Sequence, residues 1–562
     1  MKKTLYILAA LVFSFAAVSC DITFDKILEE TPKGQVLTNS AFTHASDLES
    51  ALGVLRYKVS RSTFYDTCWP SAMMGDDLAT HPKSNKALSR ELDVFEVSTG
   101  NSVVNMGWST RWLVIKAANF IIDGAAQTPD VTETEINNAI NTAKFWRAWA
   151  YFGLVRDFGP LPLVTTLDLD YGTGLTSVAG IYDQIIKDLT DATALPALNT
   201  NGLIPEVSSS VTQDPNSGAA HAMLSCVYLN MAGWPLNKGT EYYRLAAEEA
   251  AKVINGGYYY KIYDDYRDIH SVAHNWNNTE AVISVYYNDS AGNSNDSSLM
   301  TRGGISDFPD NTAGAYNNTR GELKFYYEFP EGYRKTVVYP PHCKVDNNPV
   351  PFWDASIVAD EQFPYFGEKA WPNKGDYAGK EFNPNIRWAN QCNGWDMQGH
   401  MLIRLSEVYC WYAEGLARSG GDLNEAAKYL NLVRNRADGP GATTNMYSAS
   451  MGADALAEAA YKEHRWEIAG WWPAVESCYS DMVRLKKAEA HYNYRKNPTS
   501  FSFGGVAHTE PYGPVGSWDD SMMFLPYPEQ ETLRNPNLNI DPKLKITEPY
   551  LNGTEVIIKA SE

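Results

Sequence analysis

The sequence predicts a mainly α-helical chain, with a scaffold of tetratricopeptide-like helical hairpins and a long loop-rich, partly β insertion. Three observations predict it. Residues 400 to 437 read as two antiparallel helices. Leu402, Leu405, Tyr409, Tyr412 and Leu416 recur three and four apart, Ser419-Gly420-Gly421 turns the chain, and Leu423, Ala427, Leu430, Arg434 and Ala437 share one side of a second helix. Residues 219 to 254 repeat this plan. Residues 257 to 398 abandon it, being rich in Gly, Asn, Pro and aromatic residues.

Local chemistry justifies each element. In the 400–437 hairpin the glycines supply the positive φ that ends a helix. Asp422 N-caps the next helix, and Glu425 three residues on is the other half of a capping box. The small residues Ala413, Gly415, Ala426 and Ala427 let the two helices approach closely.

At the start of the chain, residues 1 to 19 read as a secretion signal. Lys2 and Lys3 precede an apolar run, Leu5 to Val18, that is too short for a good spanning helix. Small residues before Cys20 resemble a lipobox, although Ala17 stands where leucine is most common. Cys20 would then be lipidated, and its acyl chains would supply the two anchors that stable membrane attachment needs. Plain secretion with a chance cysteine is the alternative. Residues 20 to 38 follow as an acidic tether with Asp21, Asp25, Glu29, Glu30, Pro32 and Gly34. Residues 39 to 562 are expected to form one domain. Its parts are a helical scaffold (39–256), a loop-rich ligand-binding subregion (257–398), C-terminal helices (399–490) and a loop-rich tail (491–562).

Helical period appears at Leu48, Leu52, Leu55 and Val59, then from Met106 to Ile122. A longer helix runs from Thr134 to Asp157 with Phe145, Ala148, Trp149, Phe152 and Val155 as its stripe. Trp146, Ala150 and Tyr151 widen the stripe, so neighbours should cover it on two sides; Gly159-Pro160 stops it. Ile181, Ile185 and Leu189 mark a short helix. Ala219 to Ala232 is apolar nearly all round and hence central, and Glu241 to Ile254 is amphipathic. Ala281 to Tyr287 is the clear strand candidate. One more helix runs from Asp454 to Ile468, and residues 491 to 520 read as loop.

The formal charge of −20 argues against nucleic acid and anionic lipid as partners, and the sequence holds no basic stripe. Beyond Cys20 six cysteines remain at irregular spacing; Cys226 and Cys410 fall in helical patterns as buried thiols, and no bridge is predicted. Nucleotide loops, HExxH and GxSxG are absent, and the histidines lack ligand spacing, so no cofactor or metal is expected. Asp76/Asp77, Asp264/Asp265 and Asp519/Asp520 are adjacent carboxylates, which are usually solvated surface charge. A glycosidase pair is defined by its separation in space, about 5 or 6.5–9.5 Å, which spacing along a chain does not reveal.

The positive signal is aromatic. Trp108, Trp112, Trp146, Trp149, Trp411 and Trp466 lie in helical patterns, where core packing is the simpler reading. Trp276, Trp353, Trp371, Trp388 and Trp395 lie in the irregular stretch, and Trp69 in an earlier loop. So long an irregular stretch in a folded protein is usually functional. Exposed rings suit sugars: the apolar C–H face of a pyranose stacks on the ring while Asn, Asp and Arg bind hydroxyls. The alternative is that the rings pin loops to the scaffold. The candidate ligand residues are Trp69, Trp276, Trp353, Trp371 and Trp395.

Several short motifs, in order, resemble the SusD/RagB family. They are Trp108 with Ala118-Asn119, Arg147 to Phe152 leading to Phe158-Gly159-Pro160-Leu161-Pro162-Leu163, and Gly218-Ala219-Ala220 before Val227-Tyr228-Leu229. Arg404 to Tyr409, Leu430-Asn431 with Val433-Arg434 and Arg436, Glu463-His464-Arg465-Trp466-Glu467 and Leu525-Pro526-Tyr527-Pro528 continue the series. His464 stands where the family usually has arginine, Gly470 to Pro473 interrupts its expected continuation, and Asn539-Ile540-Asp541-Pro542 replaces its usual ending.

The resemblance implies an outer-membrane lipoprotein facing the cell exterior, a loop-rich ligand face on a helical scaffold, and no enzymatic activity. It also implies a partner, a SusC-like TonB-dependent transporter that the lipoprotein covers as a lid. The expected function is capture of oligosaccharide or polysaccharide for delivery to that transporter. Two alternatives stay open: a peptide- or glycoprotein-binding RagB-like member, and a secreted helical glycoside hydrolase. The family's ligand residues are not shared motifs, so the tryptophans above rest on the residues alone.

Overall fold

The 3.6-residue apolar period becomes helix wherever it is strong. The computed structural model describes residues 41–547 except 64–68, 83, 85, 168–171, 198–213, 271–273, 275–277, 286–318, 340–341, 344–348, 358, 360–361, 367–398 and 472. Helices α1 (Ala45–Thr63), α2 (Ala87–Asp93), α3 (Ser102–Gly124) and α4 (Glu133–Phe158) open the scaffold. Asn101 caps α3 by accepting from two backbone N–H groups, and Thr132 with Glu135 forms a full capping box on α4. Gly159, at φ +80°, ends α4. After the short antiparallel pair β2 (Leu161–Pro162) and β3 (Leu175–Thr176) come α5 (Val178–Ala192), α6 (Ser217–Ala232) and α7 (Thr240–Asn255).

These helices form one continuous layer, each packed on the next: α1 on α3, α3 on α4, α4 on α5, α5 on α6 and α6 on α7. As expected, α4 is buried through nearly its whole second half, Trp146, Trp149 and Tyr151 included. Helix α6 is buried except at His221 and Tyr228, as its apolar circumference predicts.

The chain then leaves the layer. Its irregular insertion contains β4 (Ala281–Val285), β5 (Thr319–Gly321), α8 (Leu323–Glu328), α9 (Tyr333–Val338), the short antiparallel pair β6 (His342–Cys343) and β7 (Pro349–Val350), and β8 (His400–Arg404). Strand β5 pairs antiparallel with β1 (Leu78–Thr80), and β4 pairs antiparallel with β8, Ala281 opposite Arg404. The layer resumes with α10 (Leu405–Ser419), α11 (Leu423–Asp438) and α12 (Ala453–Ile468). Helix α10 packs back on α7. A solenoid interface therefore closes across the insertion. Helices α13 (Cys478–Arg484) and α14 (Ala488–Lys496), the hairpin β9–β10 (Phe501–Phe503 and Val506–His508), α15 (Glu529–Arg534) and α16 (Leu544–Thr547) complete the described chain, so residues 491–520, expected as loop, carry the end of a helix and a hairpin whose strands pair locally.

Three further expectations need correction. Residues 400–404 are strand, not helix, because β4 supplies a partner from more than a hundred residues away. Gly415 makes its close approach to α7, not to α11: a Cβ there would lie 2.8 Å from the Tyr243 carbonyl oxygen and 3.0 Å from the Ala247 Cβ. Asp422 does cap α11, but Glu425 turns outward to Lys428 in place of closing a capping box.

The seam between insertion and scaffold is a buried ionic lattice. Arg334 on α9 donates to Glu463 (2.8 Å) and Glu467 (2.9 Å) on α12. Glu467 also accepts from Arg404 and Arg436, and Arg436 reaches Glu280 beside β4 at 2.8 Å. Burial pushes the Glu467 carboxyl up, but the three guanidinium groups outweigh it and hold it well below its ordinary range. His464 lies between Asp481 (2.6 Å) and Glu407 (3.4 Å). Burial opposes its charge, yet the two carboxylates raise its pKa to about 10, so it is an imidazolium. It thus supplies a cation where the resemblance expects arginine. Cys226, Cys410 and Cys478 are free, buried thiols, as read for the first two.

Candidate ligand-binding face

A small aromatic core, separate from the main one, carries the candidate site. It consists of Leu323, Phe352, Phe363, Tyr365 and Phe503, flanked by Tyr326, Trp353 and Phe501. Three segments build it. Glu322 N-caps α8 by accepting from the Phe325 backbone N–H at 2.6 Å, which starts this short helix where β5 ends. Leu323 and Phe325 turn inward, and Tyr327 is 58% exposed. The second segment is the β9–β10 hairpin, joined by Gly504-Gly505 at φ +57° and +84°, as a type I′ turn requires. The third segment brings Phe352 and Trp353.

The rings interlock. Trp353 lies nearly parallel to Phe503 (centroids 5.9 Å, 21°) and receives Phe352 edge-on (4.8 Å, 82°). Tyr326 meets Phe352 and Phe503 edge-on, and Tyr327 leans on Phe501 at 4.8 Å. Trp353 and Phe501 are half-buried, while Val506 is 43% exposed beside them. The cluster therefore has a buried centre at Phe352 and Phe503 and a rim, Trp353, Phe501 and Tyr327, that reaches solvent.

Charge lies below or beside the rings, already paired. Arg320 donates to Glu510, which also accepts from the Leu323 N–H at 2.8 Å, so the hairpin base is tied to α8. Arg495 donates to Asp93 at 2.7 Å. Two guanidiniums thus match two carboxylates, and Glu322 is a third carboxyl. Burial, then the Glu510 charge, pushes Glu322 up toward the neutral form. At 1% and 4% exposure, Glu322 and Glu510 are not presented to a ligand. At the rim Lys324 pairs with Glu328 at 2.8 Å.

Of the predicted ligand tryptophans, Trp353 is the one this cluster contains. Trp69 is corrected: it is 8% exposed and edge-to-face on Trp149 (5.9 Å), with the Arg111 guanidinium 5.3 Å from its ring. Its loop drops it into the main core, so it has no free face for a sugar. Trp276, Trp371 and Trp395 lie outside the described residues, as do Trp388 and Cys20. The helical tryptophans Trp108, Trp146, Trp149 and Trp411 are core, as expected.

Five of the six paired aspartates are held in contacts within the fold. Asp77 is buried and accepts from the Gly470 N–H at 2.7 Å, and Asp76 pairs with Arg465. They are thus a cross-link within the fold, not solvated surface charge. Their oxygens and the Cys478 sulfur lie within 4.8 Å of one another, and burial and both aspartates push that thiol's pKa up. Asp265 is held by Arg267, Asp519 caps a turn at Ser521, and Asp520 pairs with Lys486.

Tyr327, Phe501 and Phe503, which build this cluster with Trp353, are not among the residues that the sequence analysis singles out. Phe501-Ser502-Phe503-Gly504-Gly505-Val506-Ala507-His508 carries the signal that could have found the hairpin: apolar-polar alternation around a Gly-Gly turn.

Comparison with known proteins agrees with this architecture. A family model described as starch-binding and associating with the outer membrane matches residues 27–229, and the SusD family model matches residues 370–542. A SusD-like protein of Bacteroides ovatus is 24% identical across 96% of this chain and 98% of its own length. Surface glycan-binding protein A of Bacteroides fluxus is 18% identical with a TM-score of 0.63, covering 88% of this chain and 97% of that one. A structure solved with xylogluco-oligosaccharide is 19% identical with a TM-score of 0.62, covering 88% and 98%. At those identities the two structures speak for the fold. Among the described residues no helix is long and apolar enough to cross a membrane. With family models matching at both ends and the same helical layer throughout, the chain belongs to the SusD/RagB family.

Proposed function

We propose that this chain is a cell-surface lipoprotein, anchored through Cys20, that captures glycan and delivers it to a SusC-like TonB-dependent transporter without cleaving it. The observation that carries the reading is the ring cluster in which half-buried Trp353 and Phe501 and exposed Tyr327 pack on Phe352 and Phe503. Rings held in place stack on the C–H faces of pyranoses at little entropic cost. The starch-binding description of the matched family model and the glycan-linked neighbours support the same class of ligand. Trp276, Trp371 and Trp395 are proposed as further contacts, and the helical layer as the surface that docks the transporter.

The test is retardation of residues 21–562 in native gels containing plant or host polysaccharides. One glycan should retard the protein, Trp353→Ala and Tyr327→Ala should weaken that retardation, and both variants should melt normally. The retarding glycan should emerge uncut after prolonged incubation. Retardation by no glycan would sink the reading and favour a peptide ligand. Products shortened by the protein would favour a hydrolase.

A further inference from the structure

We propose that Gly504 is a positioning residue for the glycan platform: the missing side chain at the first turn position of β9–β10 sets the plane of the Trp353 ring. The inference rests on the glycan reading above and adds what holds the stacking surface in register.

Backbone conformation alone does not explain this glycine. Both turn positions have positive φ, which asparagine and aspartate also tolerate. The two positions differ in what surrounds them. A Cβ on Gly505 would meet nothing within 4 Å. A Cβ on Gly504 would lie 2.2 Å from Trp353 Cδ1 and 2.4 Å from Nε1, far inside van der Waals contact. The five-membered ring of the indole therefore rests directly on the Gly504 backbone.

The other contacts of that ring leave it little room to yield. Phe503 lies nearly parallel to it and Phe352 meets it edge-on. The hairpin cannot simply swing away. Ser500 and Thr509 share a hydrogen bond of 2.6 Å across its mouth, and Glu510 ties its base to Arg320 and the start of α8. A methyl group at 504 must therefore lift or rotate the indole. A pyranose stacking on the displaced ring would lose its registry with Phe501 and Tyr327. Platforms held this way lose affinity on small displacements.

The test compares Gly504→Ala, Gly505→Ala, Trp353→Ala and the double variant Gly504→Ala/Trp353→Ala. Both single glycine variants put an L residue at positive φ, so they share that backbone strain. Binding to the glycan that retards the wild-type protein should fall about tenfold in Gly504→Ala and less than about twofold in Gly505→Ala. The double variant should bind no worse than Trp353→Ala alone, since Gly504 acts through that ring. A readout free of ligand is oxidation of Trp353 by N-bromosuccinimide, followed by peptide mass spectrometry. It should quicken in Gly504→Ala and not in Gly505→Ala.

Equal losses in the two glycine variants, additive losses in the double variant, or unchanged Trp353 oxidation in Gly504→Ala would overturn the inference. Loss in Trp353→Ala with none in Gly504→Ala would overturn it while leaving the platform intact. Unchanged binding in Trp353→Ala would remove the platform itself.

Discussion

The seam and the platform are both rigid, but opposite chemistry makes them so. At the seam, α9 meets α12 through buried guanidiniums and carboxylates: Arg334, Arg404 and Arg436 on Glu467, with Arg434 and Tyr447 joining on Glu463. At the platform, rings lock against rings, and the charges sit beneath. A buried charge lattice orients two elements in one way only, because each broken pair leaves an unpaired ion in low dielectric. A ring cluster tolerates water on one side, so it can leave a face free to bind. Ions thus set where the insertion sits, and rings form the surface proposed to bind glycan.

This comparison can be broken by substitution. Glu467→Ala removes the carboxylate that three buried guanidiniums share and should cost about 3–5 kcal/mol in urea unfolding. A loss below about 1 kcal/mol would mean that the lattice does not hold the seam. His464 offers a sharper test, through pH. Its folded pKa of about 10 lies above the ordinary 6.5, so its stabilisation is complete below about 6.5 and lost as pH rises through about 10. Wild-type stability should fall across that window, and His464→Asn should flatten the fall; equal slopes would sink the imidazolium assignment.

The platform should behave in the opposite way. Trp353→Ala and Tyr327→Ala should each weaken glycan binding about tenfold while moving stability by less than about 1.5 kcal/mol. A large stability loss with unchanged binding would make these rings loop pins. The smallest effect should come from Glu322→Gln. Burial and the Glu510 charge hold the Glu322 carboxyl above its ordinary 4.5, so the folded state keeps a proton that the unfolded chain has released. Stability from this group therefore falls as pH rises above about 4.5. Glutamine mimics the neutral acid and can still accept from the Phe325 N–H. The variant should match wild type near pH 5 and exceed it slightly at pH 8; a loss at pH 8 would show that the carboxylate is wanted.

Legibility differed between these regions for physical reasons. The helices of the layer announce themselves by period, because each must bury a stripe. The motif letters of the resemblance proved to be the lattice: Arg404, Glu407, Arg434, Arg436, Glu463 and Glu467 are all buried ion partners. Their spacing along the chain gives no hint of Arg334, which reaches them from the insertion. The platform was half legible. Trp353 stands out as a tryptophan without a helical face, and the Gly-Gly hairpin could have been read from its alternation. Trp69 looked the same and is core, because exposure is a property of neighbours and not of the ring.

What the sequence by itself determined is the run of helices, the cap at Asp422, the central place of Ala219 to Ala232, and the family. All of these depend on contacts within about a turn or on a repeated period. Only the tertiary structure decided that residues 400–404 are strand, that Gly415 serves α7, and that Phe501, Phe503, Tyr327 and Trp353 share one surface. Each of those depends on partners from distant segments, brought together by the lattice and the layer. Local chemistry allows such meetings but does not specify them.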